Sequence, residues 1–324
     1  GGGTYGVVWS VTVKAHPDAP VTTLAFLNFT SDGVSADTYW NALQSYLSIS
    51  PNLTDAGLVS SALLNSRLFK ISPLAAFNKT ATEVAALIDP LLKSLDEHGV
   101  KYQHSIESHT NYLDAFHNLH DLGNIGTALI GGWMMPRSVW EDQNDFQAFA
   151  KAVRDILDDG GSVIGFAMRP TLQASGNRDN AVLPAWRDVE QSIITARALV
   201  DGESLEDINK DQIKISHVYD AALKKVAPQS GTYMNEGDSN EPDFKQAFYG
   251  ANYDRLLAIK DKWDPDQLLY GSVSVGGDRW YQTEEGRLCR VSKSTGVSKN
   301  STTCRMENRW FESSCIPYDD YSRP

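Results

Sequence analysis

The sequence predicts an α+β protein in which an antiparallel sheet is covered by helices. Three observations support this: several runs alternate with the period of two that marks a β-strand, other stretches repeat apolar residues at three and four, and the two kinds interleave irregularly. Several connections contain long non-helical stretches, which suits an antiparallel sheet with helices on one face better than a doubly wound parallel one.

The first strand pattern is Val7, Trp9, Val11 and Val13 alternating with Val8, Ser10 and Thr12. His16-Pro17-Asp18 reads as a turn, and a β-rich run follows at 21–29. Val84, Leu87, Ile88, Leu91, Leu92 and Leu95 form the apolar stripe of a helix, which Pro90 should kink or restart. Phe146, Phe149, Ala150, Val153 and Leu157 repeat that stripe up to Gly160-Gly161. Further strands are expected at 68–71, 100–106, 162–168 and 189–195, each flanked by turn residues. A long helix is expected from about 205 to 226, stopped by Pro228, and Ser230 to Asp238 is glycine-rich and polar, a loop. Pro242 suits a first helical turn, Gly250 stops that helix, Asn252 is placed to cap the next, and Asp264-Pro265 ends it. Beyond Arg290 the chain turns polar and reads as an extension or disordered tail.

Composition narrows the functional classes. The 324 residues carry 29 Lys plus Arg against 41 Asp plus Glu, so 29 − 41 = −12, with 41% hydrophobic residues. That is ample material for a core. An acidic chain lacks the basic patch that neutralises phosphates, which disfavours nucleic acid and anionic membrane surfaces as partners. The longest nearly apolar run, 125–135, is too short for the ~20 residues that cross a bilayer. The chain opens inside a glycine run that leads straight into a strand pattern, so sequence N-terminal to it is expected to be missing.

Cys289, Cys304 and Cys315 all lie in the last 36 residues, and none has the close paired spacing of a zinc site, so no structural metal is expected. Cys304 and Cys315 could close a small loop in an oxidising compartment, a pairing that sequence leaves open. Asn28, Asn52, Asn78 and Asn300 begin glycosylation sequons, which makes a secreted glycoprotein the expectation. His109, His117 and His120 lack an accompanying carboxylate set and read as helix-surface residues. No Gly-x-Ser-x-Gly nucleophile elbow and no P-loop is present.

Two ends of the chain carry an ordered set of motifs. Gly1-Gly2-Gly3-Thr4-Tyr5-Gly6-Val7-Val8 precedes Val11-Thr12-Val13-Lys14-Ala15-His16-Pro17. Far downstream come Gly231-Thr232-Tyr233-Met234-Asn235-Glu236, Asn240-Glu241-Pro242-Asp243, Phe248-Tyr249-Gly250, Asn252-Tyr253-Asp254-Arg255-Leu256-Leu257 and Asp264-Pro265, with Pro184-Ala185-Trp186-Arg187-Asp188 between. In order and spacing these resemble the fungal FAD-linked oxidoreductases of the berberine bridge enzyme-like, vanillyl-alcohol oxidase type family, over roughly residues 1–290.

The resemblance implies FAD as cofactor and a small-molecule substrate that is oxidised by hydride transfer, with O2 as final acceptor. The implied substrate is a secondary metabolite, an alcohol or a sugar. It implies four regions: 1–18 as the end of the flavin-binding domain, 19–227 as the substrate domain, 228–290 as the return to the flavin-binding domain, and 291–324 as a polar tail. Most of the FAD site, including any covalent attachment, would then belong to an N-terminal flavin-binding portion preceding Gly1. Gly2, Gly3, Thr4, Tyr5, Gly6 and Val8 would lie against the cofactor, because residues without Cβ let backbone N–H groups approach it, and Val8 would contact through its backbone.

Tyr233 and Asn235 match the family's Tyr-x-Asn element, which faces the flavin from the substrate side. In an extended segment alternation points both side chains the same way. A phenol beside a cation or the flavin can accept a substrate proton, so Tyr233 is the candidate base, ahead of a packing role as a buried, hydrogen-bonded tyrosine. Asn235 is assigned to the cofactor. Tyr102 and His104 on one strand face, together with Trp133 and Arg169, are candidates for the substrate cavity, though each also suits an ordinary core or rim position. Two other readings use the same residues: a truncated, flavin-free or partner-dependent ligand-binding fragment, and a cyclase reusing the cavity.

Overall fold

A computed structural model describes residues 2–118, 126–177, 180–283 and 286–291. The polar tail, with Asn300, Cys304 and Cys315, and also His120, lie outside the described residues.

Seven strands form one sheet in the order β4-β1-β3-β2-β6-β7-β5. They are β1 (Thr22–Thr30), β2 (Leu58–Leu64), β3 (Leu68–Phe77), β4 (Tyr102–His109), β5 (Ala128–Pro136), β6 (Ser162–Ala167) and β7 (Val189–Ala198). Every neighbouring pair is antiparallel. Among the described residues eight α-helices accompany them: α1 (Ala36–Asp55), α2 (Ala81–Glu97), α3 (Tyr112–His117), α4 (Ser138–Glu141), α5 (Gln143–Asp158), α6 (Leu205–Lys214), α7 (Asp220–Val226) and α8 (Tyr253–Trp263). A small hairpin, β8 (Trp280–Gln282) with β9 (Leu288–Arg290), closes the described chain. The architecture is therefore α+β, as expected.

The helices start where side chains satisfy their first free N–H groups. Ser35 Oγ accepts from the Thr38 backbone, Thr80 and Glu83 form a reciprocal capping box, and Asp142 caps α5. Pro90 does not restart α2, which runs unbroken over Ala81–Glu97. Ile88 on one side of it and Leu91 and Leu95 on the other are buried. Their packing outweighs the cost of about 3 kcal/mol for an interior proline.

One sheet face meets α1, α2, α5 and α7 and forms the core. Phe29 of β1 stacks on Phe69 of β3 at 4.6 Å, and Tyr46 of α1 meets Phe69 edge-on at 4.9 Å. Alternation is clean in β2 and β6, where every second residue is buried and the others are half-buried. Those half-buried residues form the opposite face, which α3 covers only where Ala115 packs on Leu24 and Ala75. Cross-strand registry lines up two rows on this second face. One runs Leu63, Ile164, Ile194, Gly132; the other runs Ser61, Phe166, Ser192, Met134.

Several expectations are corrected. Residues 7–13 are extended but pair with no strand among the described residues, and their apolar side chains are bare, Val7 at 89% and Trp9 at 96% exposure. An alternating pattern becomes a strand only when a neighbour takes up its backbone hydrogen bonds. The helix expected over 205–226 contains a π-helical turn at Ile215–Tyr219 that divides exposed α6 from buried α7. Asn252 sits at the start of α8 without capping it; its Nδ2 donates instead to the Val182 carbonyl, at 2.9 Å. α1, β2 and β5 escaped the sequence reading altogether. In β5 the pair Gly131-Gly132 disguises a strand, and Gly131 is required there because a Cβ would collide with the Asp220 carboxylate and Ile215 behind it.

Candidate active site

The N-terminal arm and the 231–238 loop meet at one place. Gly2, at φ +71, lies so close to Met234 that a Cβ would come within 2.7 Å of its Cε. Lys260, 1% exposed on α8, donates to the Thr4 carbonyl, to Leu269 O at 2.7 Å and to Asp264 at 2.5 Å. This ammonium, with the Leu268 and Leu269 backbone N–H groups, holds the Asp264 carboxyl down at about 2. Tyr5 donates to the Leu256 carbonyl at 3.3 Å, and burial pushes its phenol up to about 12. Thr4 Oγ1 is buried without a hydrogen-bond partner. Gly3, Gly6 and Val8 are exposed. The arm therefore leaves bare glycine backbone and one orphan hydroxyl beside the loop, groups that suit the edge of a polar cofactor.

The loop itself is held from both sides. The Met134 N–H of β5 donates to the Gly231 carbonyl, and Thr232 N–H donates to Ala247 O, each at 2.8 Å. At the other end Asp238, 1% exposed, accepts from Gln212 Nε2 at 2.9 Å, Ser216 Oγ at 2.5 Å and the Asn240 N–H at 2.8 Å. Burial still raises the Asp238 carboxyl above its usual range. Between these anchors the half-buried Tyr233 ring packs edge-on against Trp186 at 5.6 Å. Asn235 Nδ2 donates to Tyr233 Oη at 2.6 Å, so the two side chains converge. That hydrogen bond orients the phenol.

The other candidates lie elsewhere. Tyr102 and His104 stand on β4 opposite Phe29 and Leu27, hence on the helix-covered face, with rings 5.8 Å apart. β4 is one edge of the sheet and β5, beside Tyr233, is the other. Six interstrand spacings separate them, roughly 29 Å. Trp133 is 4% exposed and points into the helix-packed core, where its Nε1 donates to Ala227 O at 2.8 Å and Lys224 lies 5.1 Å over its ring. Arg169 is spent on Asp55, which Arg137 also grips at 2.6 Å; the two guanidiniums hold that carboxyl below its usual range. Arg137 reaches on to the buried Glu190, which also accepts from Ser50 and Thr54. This network ties the end of α1 to the sheet.

Sequence reasoning did not assign Trp186, Phe166, Met134 or Asp238 a place at the site. Alternation in 162–168 separates Phe166 from Val163, but nothing local says which face adjoins Tyr233. Among the described residues no group of three or more His, Cys, Asp or Glu is placed to hold a metal, and no helix is long and apolar enough to cross a membrane.

Residues 232–276, the stretch from the Tyr233 loop through α8, match the family described as "Berberine and berberine like". Over 298 residues the chain is also similar to an FAD-linked oxidoreductase, patO, of Aspergillus clavatus, with 34% identity. Residues 232–276 thus carry a berberine-like stretch within a chain that resembles FAD-linked oxidoreductases over most of its length. The patO match covers 91% of this chain and 52% of the relative. An FAD-linked oxidoreductase, ZEB1, of Gibberella zeae is 31% identical over 90% of this chain and 51% of its own length. The chain thus spans about half the length of the curated relatives it matches. A VAO-type flavoprotein structure from Myceliophthora thermophila shares the fold, with a TM-score of 0.77, 24% identity, and coverage of 90% of this chain and 54% of that one.

Proposed function

We propose that this chain is the substrate-domain and C-terminal part of an FAD-dependent oxidase that takes a hydride from a small organic substrate, with O2 as final acceptor. The observation that carries the reading is the meeting of two segments more than 200 residues apart. The Gly2-Gly3-Thr4 turn is seated on Met234 and clasped by Lys260, at the rim of the Tyr233–Asn235 pair. The relatives named FAD-linked oxidoreductases support it.

In this reading the Gly2, Gly3 and Gly6 backbone, the orphan Thr4 hydroxyl and Asn235 hold the cofactor edge, and FAD when bound supplies a two-electron acceptor. Tyr233 Oη, once its own proton had passed to solvent, would take the substrate hydroxyl proton while the neighbouring C–H bond gave up its hydride to the bound cofactor. Asn235 keeps that oxygen aimed by donating to it. Trp186 shields one side of the phenol from water. Residues 1–18 and 228–290 are read as pieces of the flavin-binding domain, and 19–227 as the substrate domain. The bare apolar stripe of residues 7–13 is read as the seam for an N-terminal flavin-binding portion, because so much contiguous exposed apolar surface is abnormal for a free monomer. Secretion and glycosylation belong to the same reading. Asn78 is the sequon suited to carry a glycan, since it is exposed in a turn at φ +57 whereas Asn28 lies inside β1.

The test is anaerobic flavin reduction in the flavin-loaded protein. Tyr233→Phe keeps the ring and removes the proton acceptor, so the reduction rate should fall by roughly 10²–10⁴ with flavin content unchanged. Asn235→Ala should lower flavin occupancy or shift the flavin spectrum. Unchanged reduction in the Phe variant would leave Tyr233 as a packing residue.

A further inference from the structure

We propose that Asp220 is a positioning residue for the Tyr233 loop, holding the helix that grips the loop against the sheet only while its carboxyl carries a proton. The consequence for catalysis rests on the Tyr233 reading above; the positioning itself does not.

Gln212, Ser216, Asp220 and Lys224 follow one another at intervals of four along α6, the π-turn and α7. In an α-helix each such step drifts by about 40° around the axis, and the wider turn at Ile215–Tyr219 takes part of that drift back. The four side chains therefore turn inward as one polar stripe, and three of them hold the far end of the loop. Gln212 and Ser216 donate to Asp238, at 2.9 and 2.5 Å, and Lys224 lies over Trp133 and pairs with the buried Glu241 at 2.5 Å. The hydrogen bonds of Asp220 go to the sheet instead: it accepts from Thr195 Oγ1 of β7 at 2.8 Å and from the Gly132 N–H of β5. Gln212 adds a longer bond to Ile130 O of β5, at 3.4 Å. The loop is thus strung between sheet and helix. Its start hangs on β5 at Gly231, its end hangs on the stripe at Asp238, and the seat of Asp220 sets how far apart those two points lie.

This seat suits a neutral acid. Asp220 is 1% exposed, and its Oδ2, which fits against Gly131 because that residue has no Cβ, lacks a hydrogen-bond partner. Charge on an oxygen without a donor costs more than an unpaired neutral hydroxyl. Lys224, one turn on, is spent on Glu241, and Asp238 of the loop adds a like charge. Charges on the other elements packed here are spent on each other: Arg197 of β7 on Glu203 and Asp211, and Asp159 after α5 on Lys214 and Tyr219. Burial, then the Asp238 charge, raise the Asp220 carboxyl to about 7 against the hydrogen bonds from Thr195 and Gly132 that lower it. Below that pH the proton stays and the helix is seated. As pH rises through it the proton leaves, the buried charge draws in water, and α7 loosens from β5, carrying Asp238 and the loop end with it.

The experiment is fluorine NMR of the purified chain labelled with 5-fluorotryptophan, from about pH 5.5 to 8.5. Trp186 meets the Tyr233 ring edge-on, so its resonance, identified by its loss in Trp186→Phe, reports on the loop without cofactor or turnover. All samples carry His217→Gln, because this exposed residue stands on the π-turn and histidines titrate in that range. The Trp186 resonance should shift with a midpoint near 7. In Asp220→Asn, which keeps the shape and is neutral at every pH, it should stay at its low-pH position. Thr195→Val removes a hydrogen bond that favours the charged form, so the midpoint should rise by about half a pH unit or more. That variant decides the matter if circular dichroism shows Asp220→Asn unfolded. A resonance that stays flat with Asp220 present, a titration that survives in folded Asp220→Asn, or an unmoved midpoint in Thr195→Val would overturn the proposal. Tyr233→Phe keeps the ring beside Trp186 and should leave the midpoint in place, so this titration and the flavin-reduction test of the proton acceptor fail independently.

Discussion

Residues 7–13 and β1 are both short runs of alternating, β-branched-rich sequence, yet one lies bare on the surface and the other sits inside the sheet. β1 has β3 on one side and β4 on the other, and its Ala25, Leu27 and Phe29 face the helix layer. Among the described residues the arm has no strand beside it, and Val7, Trp9, Val11 and Val13 are between 73% and 96% exposed. It is anchored at its root, by Lys260, Tyr5 and the seat of Gly2 on Met234. The difference teaches that a period of two states a readiness to pair, while pairing itself depends on what the rest of the molecule brings alongside.

The largest expected effect lies on the sheet side of this comparison. Phe69→Ala removes a fully buried ring stacked on Phe29, and chemical denaturation should show a loss of about 3–5 kcal/mol. Trp9→Ser on the arm should change stability by less than about 0.5 kcal/mol. A loss comparable to that of Phe69→Ala would break the comparison by showing that the arm is packed in solution.

pH separates the two regions with opposite sign. Behind β5, burial pushes the Asp220 carboxyl up to about 7 from 3.8; it accepts from Thr195 Oγ1 and the Gly132 N–H, while its Oδ2 has no partner. The folded state therefore holds this proton more tightly than the unfolded chain, so the stabilisation is full below about 4 and is lost as pH rises to about 7. Asp264 at the root of the arm is shifted down, to about 2, so its contribution is present above about 4 and lost as pH falls toward 2. Melting temperatures measured from pH 4 to 8 should decline less in Asp220→Asn than in the parent. Equal decline would show that Asp220 does not titrate in that window. The sheet is the region this experiment reads, since the arm clasp is constant across it.

Much of the fold was legible locally. The runs at 21–29, 68–71, 100–106, 162–168 and 189–195 all fall within or across observed strands, and the stripes through Val84 and Phe146 are α2 and α5. The loop carrying Tyr233 and the end of α8 at Asp264 stood out through glycine, proline and capping chemistry. Tyr102 and His104 were correctly set on one strand face, but that face turned out to be the one under α2, across the sheet from Tyr233.

What the sequence determined by itself was therefore the kind of most of the elements it marked, the order of the motifs and the placing of Tyr233 and Asn235 in one loop. These are local properties, written in spacing and in side-chain chemistry. The tertiary structure alone decided that β5 neighbours β7 at an edge, that Trp133 turns into the core while Met134 turns toward Trp186, and that Glu190 and Asp220 are buried among partners from distant helices. Such facts depend on strand order and on which face the helices cover. Both are set by contacts between residues far apart in sequence, which no local periodicity encodes.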